Sequence, residues 1–136
     1  MFGEAFGELA TYQDRVPGDE YLAQLLAKPH FIAVVALTDN QVIGGLAAYE
    51  LEKFEQDRRE IYIYDLAVLD EHRRRGAATG LINSLRVIAD QHNPYVIFVQ
   101  ADLEDAPAIA LYKSLGTRES VYHFDVTVSE LAKSEQ

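Results

Sequence analysis

Residues 60 to 80 read Glu60-Ile61-Tyr62-Ile63-Tyr64-Asp65-Leu66-Ala67-Val68-Leu69-Asp70-Glu71-His72-Arg73-Arg74-Arg75-Gly76-Ala77-Ala78-Thr79-Gly80. The opening ten residues are rich in the β-branched, aromatic and aliphatic side chains that strands favour. In strict alternation, Ile61, Ile63 and Asp65 fall on one face and Tyr62, Tyr64 and Leu66 on the other. The basic turn His72-Arg73-Arg74-Arg75-Gly76 follows. Beyond it Ala78, Leu81, Ile82, Leu85, Ile88 and Ala89 make one apolar helical stripe. The stretch is therefore strand, glycine turn, helix. The first N–H groups of a helix lack internal partners and sit at the positive end of its dipole, so such a turn suits an anion. Gly76 and Ala78 let a pyrophosphate approach the backbone, and Thr79 adds a hydroxyl. A solvated face is the plainer reading of three arginines, but cations at a helix start oppose the macrodipole, which favours an anionic partner. Neither Gly-x-Gly-x-x-Gly nor Gly-Lys-Ser/Thr is present.

Outward from this unit, the pattern predicts an N-terminal helix over residues 2 to 12, carrying Phe2, Phe6, Leu9 and Ala10. A second helix, capped by Asp19 and stopped by Pro29, carries Tyr21, Leu22, Leu25 and Leu26. Strands follow at Phe31 to Leu37 and Val42 to Leu51, joined by an Asp39-Asn40 hairpin turn. Gly44-Gly45 suggests a bulge or a close backbone approach. A charged link from Glu52 to Arg59 leads into the stretch quoted first. After the long helix, which Asn93-Pro94 ends, Tyr95 to Ala101 reads as a buried strand. A helix with Pro107 in its first turn and Gly116 at its end comes next. Arg118 to Val128 reads as a final strand, with a frayed tail from Ser129 to Gln136. Hairpins mixed with strand–helix–strand crossovers give an α/β (α+β mixed) sheet with helices on both faces, in a single domain over residues 1 to 136.

Composition narrows the function. The chain has 136 residues, 49% of them hydrophobic, a formal net charge of −10 and no cysteine. Disulfides, thiolate metal sites and a cysteine nucleophile are excluded. No apolar run is long enough for a membrane span, and no signal peptide is legible at the N-terminus, which fits the cytoplasm. His30, His72, His92 and His123 lack metal-ligand spacing, so no metal is expected. The acidic balance argues against nucleic acid and suits cationic partners, although many proteins are acidic only for solubility.

Arg73-x-x-Gly76-x-Ala78 after Asp65-Leu66-Ala67-Val68 resembles the acyl-CoA motif of the GNAT acetyltransferase superfamily. Asp105-x-x-Ala108-x-x-Leu111-Tyr112-x-x-Leu115-Gly116 resembles that superfamily's Asn-x-x-Ala-x-x-Leu-Tyr-x-x-x-Gly helix. The chain also closely resembles the gentamicin-type aminoglycoside 3-N-acetyltransferases. Phe2-Gly3 with Phe6-Gly7, Ala10-Thr11-Tyr12, Lys53-Phe54-Glu55-Gln56, residues 60 to 68, Val99-Gln100-Ala101-Asp102 and His123-Phe124-Asp125 carry this likeness over nearly the whole chain.

The resemblance implies a GNAT-like acyl-CoA N-acyltransferase fold, lacking the superfamily's first strand. It implies acetyl transfer from acetyl-CoA to the 3-amino group of an aminoglycoside, conferring resistance, with a homodimer as a further expectation. The backbone of Leu66, Ala67 and Val68 would pair with the pantetheine arm. Arg73, Arg74, Arg75, Gly76, Ala77, Ala78 and Thr79 would hold the pyrophosphate, with Asp105 also on the cofactor side. Tyr112 would protonate the departing thiolate. Asp65 would bind the substrate ammonium and help remove its proton, and Asp102, Asp105 and Asp125 would add to an acidic cleft. A main-chain N–H near Val68 would stabilise the oxyanion. Plainer readings stand beside these: Tyr112 as a half-buried tyrosine, Asp65 as a strand-end carboxylate, Asp105 as a helix cap, and Asp102 as an ordinary loop acid. Tyr62 and Tyr64 read as core packing before a binding platform. Asp105 stands where the superfamily usually has Asn. Other classes compatible with the motifs are an N-acetyltransferase of a polyamine, another amino sugar or a protein amine, and an inactive acyl-CoA-binding module.

Overall fold

The computed structural model describes residues 18–91 and 94–129. The helix expected over residues 2 to 12 lies outside them. The chain divides into two compact units, one ending at Ala101 and one beginning at Asp102.

The first unit is a four-stranded mixed sheet in the order β1-β2-β3-β4, with β1 Phe31–Thr38, β2 Gln41–Glu52, β3 Arg59–Val68 and β4 Pro94–Val99. The first three strands form an antiparallel meander, and β4 joins β3 in parallel. The β1–β2 turn works because Asp39 and Asn40 both adopt positive φ, 51° and 64°, the primed geometry that matches strand twist. At the other end of β2, Lys53 pairs with Glu55 at 2.6 Å and its N–H donates to Arg58 O at 3.0 Å, closing the charged link.

Helix α1 spans Asp19–Ala27. Gly18 caps it and Asp19 is its first residue, without a side-chain cap bond. Asp19 therefore acts through the dipole of the first turn and not as the expected cap. Helix α2, Ala77–Asp90, supplies the crossover between β3 and β4 and buries Leu81, Ile82, Leu85 and Ala89. These residues face Ile32, Leu46, Ala48, Ile61, Ile63 and Val68, the buried face of the sheet. Leu46, Ile61 and Leu85 are fully enclosed, each contributing about 1.5–3 kcal/mol. Gly44 permits this closeness: a Cβ there would lie 3.1 Å from Ala67 O, 3.2 Å from Val68 Cγ2 and 3.5 Å from Leu81 Cδ1.

Strand β4 differs from its expected burial. Val96 is exposed and Ile97, Phe98 and Val99 are half-buried, because β4 is the edge of the sheet among the described residues. A continuous apolar run does not reveal which strand stands at an edge.

The second unit holds α3, Ala106–Leu115. Asp105 caps it, accepting from Ala108 N–H at 3.2 Å, and Pro107 lies in its first turn. Gly116 ends it in extended backbone, φ −159°. The final strand expected over Arg118 to Val128 is not formed. Residues 117 to 127 run as irregular chain, with Val121, Tyr122, Phe124 and Val126 exposed. A strand needs a neighbour for its ladder, and this segment pairs with none among the described residues.

Candidate functional site

The register of β3 builds the site. Asp65 lies opposite Ala47 and Ile63 opposite Ala48, so Tyr64 is an inserted residue, a β-bulge. The bulge shifts every later residue to the other face. Leu66 then stands opposite Leu46 on the core side, and Asp65 joins the face of Tyr62 and Tyr64. The alternation expected from sequence, with Asp65 beside the isoleucines, is corrected by this one insertion.

β4 pairs with β3 only as far as Ile63, opposite Val99. From Tyr64 to Val68, β3 runs on without a β4 partner. Leu69 N–H donates to Ile43 O at 2.8 Å, towards β2. Main-chain groups alternate sides along a strand, so those of Leu66 and Val68 point to the side that β4 has left.

Immediately downstream, a short 3-10 turn, Asp70–His72, leads to Arg74 at φ 63° and Gly76 at φ 82°. Two left-handed residues two apart fold the chain sharply before α2, whose first N–H groups have no partner within the helix. The space where a Gly76 Cβ would lie is open. Ala77, Ala78 and Thr79 are half-buried, while Arg74 and Arg75 are exposed. Arg73 plays a different part. Its Nε donates to Val68 O at 2.9 Å and its guanidinium pairs with Asp70, which ties the turn to the end of β3. A groove of about 380 Å³ flanks the same helix start, with His72, Arg75, Thr38, Gly80 and Ser84 among its lining residues. His72 carried no functional signal in the sequence, since a lone histidine in a basic turn has no spacing to read.

Aromatic rings line the face that Asp65 shares. Phe31 and Tyr49 lie 5.2 Å apart, Tyr49 and Tyr64 6.0 Å, Tyr62 and Tyr64 5.9 Å, and Tyr62 stacks on Phe98 at 4.8 Å. Tyr62 Oη donates to Gln100 Oε1 at 2.9 Å. Burial first, then Tyr64 and the Asp65 carboxylate, push the Tyr62 phenol above its ordinary value. Tyr62 is half-buried, but Tyr64 is 64% exposed, which overturns its expected place in the core. Tyr64, read from sequence as core packing before a binding platform, and Gln100, given no role there, both stand beside Tyr62. The bulge that brings Asp65 onto the face of Tyr62 and Tyr64 leaves no mark in the residue pattern.

In the second unit, Asp102, Glu104, Asp105 and Pro107 line an open hollow. Tyr112 is half-buried on α3, two turns from the Asp105 cap. Burial first, then the Asp105 carboxylate, push its phenol above the ordinary tyrosine value. Asp125 lies in the irregular segment, 2.9 Å from His123 Nε2. The structure brings Asp65, Leu66 to Val68 and residues 73 to 79 together in the first unit. Asp102, Asp105, Tyr112 and Asp125 belong to the second. No cluster of metal-ligating side chains occurs among the described residues.

The model of the acetyltransferase (GNAT) family matches residues 3–117. The chain belongs to that family. It is 57% identical to an aminoglycoside acetyltransferase from an uncultured soil metagenomic sample, with a TM-score of 0.92 over 94% of this chain and 86% of that one. A second aminoglycoside acetyltransferase from an uncultured soil metagenomic sample, in complex with sisomicin, is 32% identical, with a TM-score of 0.82 over 92% and 84% of the two chains. The aminoglycoside N(6')-acetyltransferase type 1 of Acinetobacter haemolyticus is 31% identical over 100 residues, 71% of this chain and 69% of that protein. The chain spans about half the length of the first curated relatives it matches, which are N-alpha-acetyltransferases and an N-acetyltransferase family 8 member. The mixed sheet, its parallel pair and the crossover helix are the GNAT fold expected from the two motifs.

Proposed function

We propose that this chain transfers an acetyl group from acetyl-CoA to an amine of an aminoglycoside. The observation that carries the reading is the separation of β3 from β4: the edge of Leu66 and Val68 that β4 leaves, with Val68 O held by Arg73 Nε, runs directly into the left-handed turn at Arg74 and Gly76. An amide-bearing arm ending in a pyrophosphate fits that combination. Main-chain groups of Leu66 to Val68 would take the arm as an added strand, and the N–H groups from Arg74 to Thr79 would take the phosphates. Arg73, already bonded to Val68 O, keeps edge and turn in one register.

Acetyl-CoA supplies an activated thioester. The substrate amine attacks its carbonyl carbon directly, the carbon–sulfur bond breaks and the amide forms, so no cysteine is required. Asp65 would hold the incoming ammonium and help remove its proton. The N–H near Val68 would stabilise charge on the carbonyl oxygen. Tyr112 would protonate the thiolate, and its raised pKa keeps that proton in place at neutral pH. Asp102, Asp105 and Asp125 would attract further ammonium groups, although Asp105 also caps its helix.

The 3-amino group is the acceptor suggested by the gentamicin-type likeness, and the Acinetobacter haemolyticus relative supports the 6' nitrogen instead. Two-dimensional NMR of the product decides between them: an acetyl on the 3-nitrogen supports the finer reading, and one on the 6' nitrogen overturns it while keeping the class. A second reading, acetylation of a protein α-amine, draws on the N-alpha-acetyltransferase relatives. The reading extends to a cytoplasmic homodimer. Among the described residues no helix is long and apolar enough to cross a membrane.

A further inference from the structure

We infer that the exposed ring of Tyr64 is a specificity platform, receiving the ring face and ammonium of a polycationic amino sugar beside Asp65. This rests on the reading proposed above and deepens it. Bulges re-aim side chains, and the tyrosine inserted here keeps 64% of its surface exposed. It is not loose. Tyr49 meets it edge-on at 6.0 Å with an 84° interplanar angle, and Tyr62 meets it at 5.9 Å and 67°. Tyr62 is in turn stacked within 5° on Phe98 and bonded to Gln100. The ring is thus braced from two sides, so little side-chain freedom is lost when a ligand covers it.

The chemistry of the neighbour selects the occupant. Asp65 is adjacent in the bulge and on the same face. An aromatic face attracts cations through its quadrupole, and a carboxylate beside it adds an opposite charge. A neutral sugar would use only the ring, and an anion would be repelled by Asp65. A saturated ring carrying ammonium groups uses both. The net charge of −10 favours the same occupant at longer range.

The test is steady-state kinetics of Tyr64→Ala, Tyr64→Leu and Tyr64→Phe with sisomicin, together with calorimetric titration of sisomicin into each protein. Loss of the π face in Ala and Leu should raise KM and Kd about tenfold. kcat and the KM for acetyl-CoA should stay within about twofold, and Phe should behave like wild type. Thermal melting of all four proteins should show that they fold alike, as expected for an exposed side chain. Unchanged sisomicin affinity in Tyr64→Ala overturns the inference, as does full recovery in Tyr64→Leu, which would reduce the contact to apolar filler. Wild-type protein that neither binds nor acetylates any amino sugar would instead overturn the proposed function, and this inference with it.

Discussion

In the proposed reaction Asp65 and Tyr112 would divide the proton work, and their substitutions should fail differently. Asp65→Asn should lower kcat/KM for an aminoglycoside about a hundredfold while acetyl-CoA affinity stays within about twofold; parallel losses in both would make Asp65 structural. Tyr112 titrates above the ordinary tyrosine range because it is half-buried near the Asp105 carboxylate. The acid form is therefore present through neutral pH and is lost only as pH climbs past that raised value. Tyr112→Phe should lower kcat about a hundredfold and remove the alkaline limb of the pH profile; a limb that survives in the variant belongs to another group. Individual residues were unevenly legible in the sequence. Asp105 could be read as a cap because its offset from Ala108 is local. The environment of Asp65 could not, because a single inserted Tyr64 moves it to the opposite face.

Among the elements, the turn from Arg74 to Gly76 is held by left-handed backbone. Gly76→Ala adds about 1–2 kcal/mol of strain in that conformation, with no clash, since the space beside it is open. The expected outcome is acetyl-CoA affinity weakened about tenfold together with a urea midpoint lowered by the equivalent of that strain, read by titration and denaturation. Gly44→Val should lose stability by a clash and not by backbone strain: its side chain would press on Ala67 O and Val68, costing about 1–3 kcal/mol. Elements whose signals are local were readable: the Asp39-Asn40 hairpin, the Leu81, Ile82, Leu85 and Ala89 stripe, and the helix begun by Asp105 and Pro107. Those defined by spatial neighbours were not. Among the described residues β4 is half-exposed because it is an edge, and residues 118 to 128 alternate like a strand without a ladder to join.

For the whole molecule, a net charge of −10 bears on the encounter with a polycation. Raising ionic strength from about 0.05 to 0.3 M should raise KM for an aminoglycoside several-fold through screening. The effect should be smaller for a singly charged amine, and identical salt dependence for both would show that the bulk charge plays no part. The family was legible because its two motifs sit on elements that short-range patterning predicts. The acceptor nitrogen was not, because it depends on how the acidic residues surround a substrate, and spacing along the chain does not encode that. Acetyl transfer to an aminoglycoside is probed most simply by thiol release from acetyl-CoA, using purified protein with sisomicin, kanamycin, spermidine and a lysine peptide as acceptors. Rapid turnover with the two aminoglycosides and little with the others is the expected result. Turnover confined to the peptide, or absent with every amine from folded protein that binds acetyl-CoA, would contradict the proposed function.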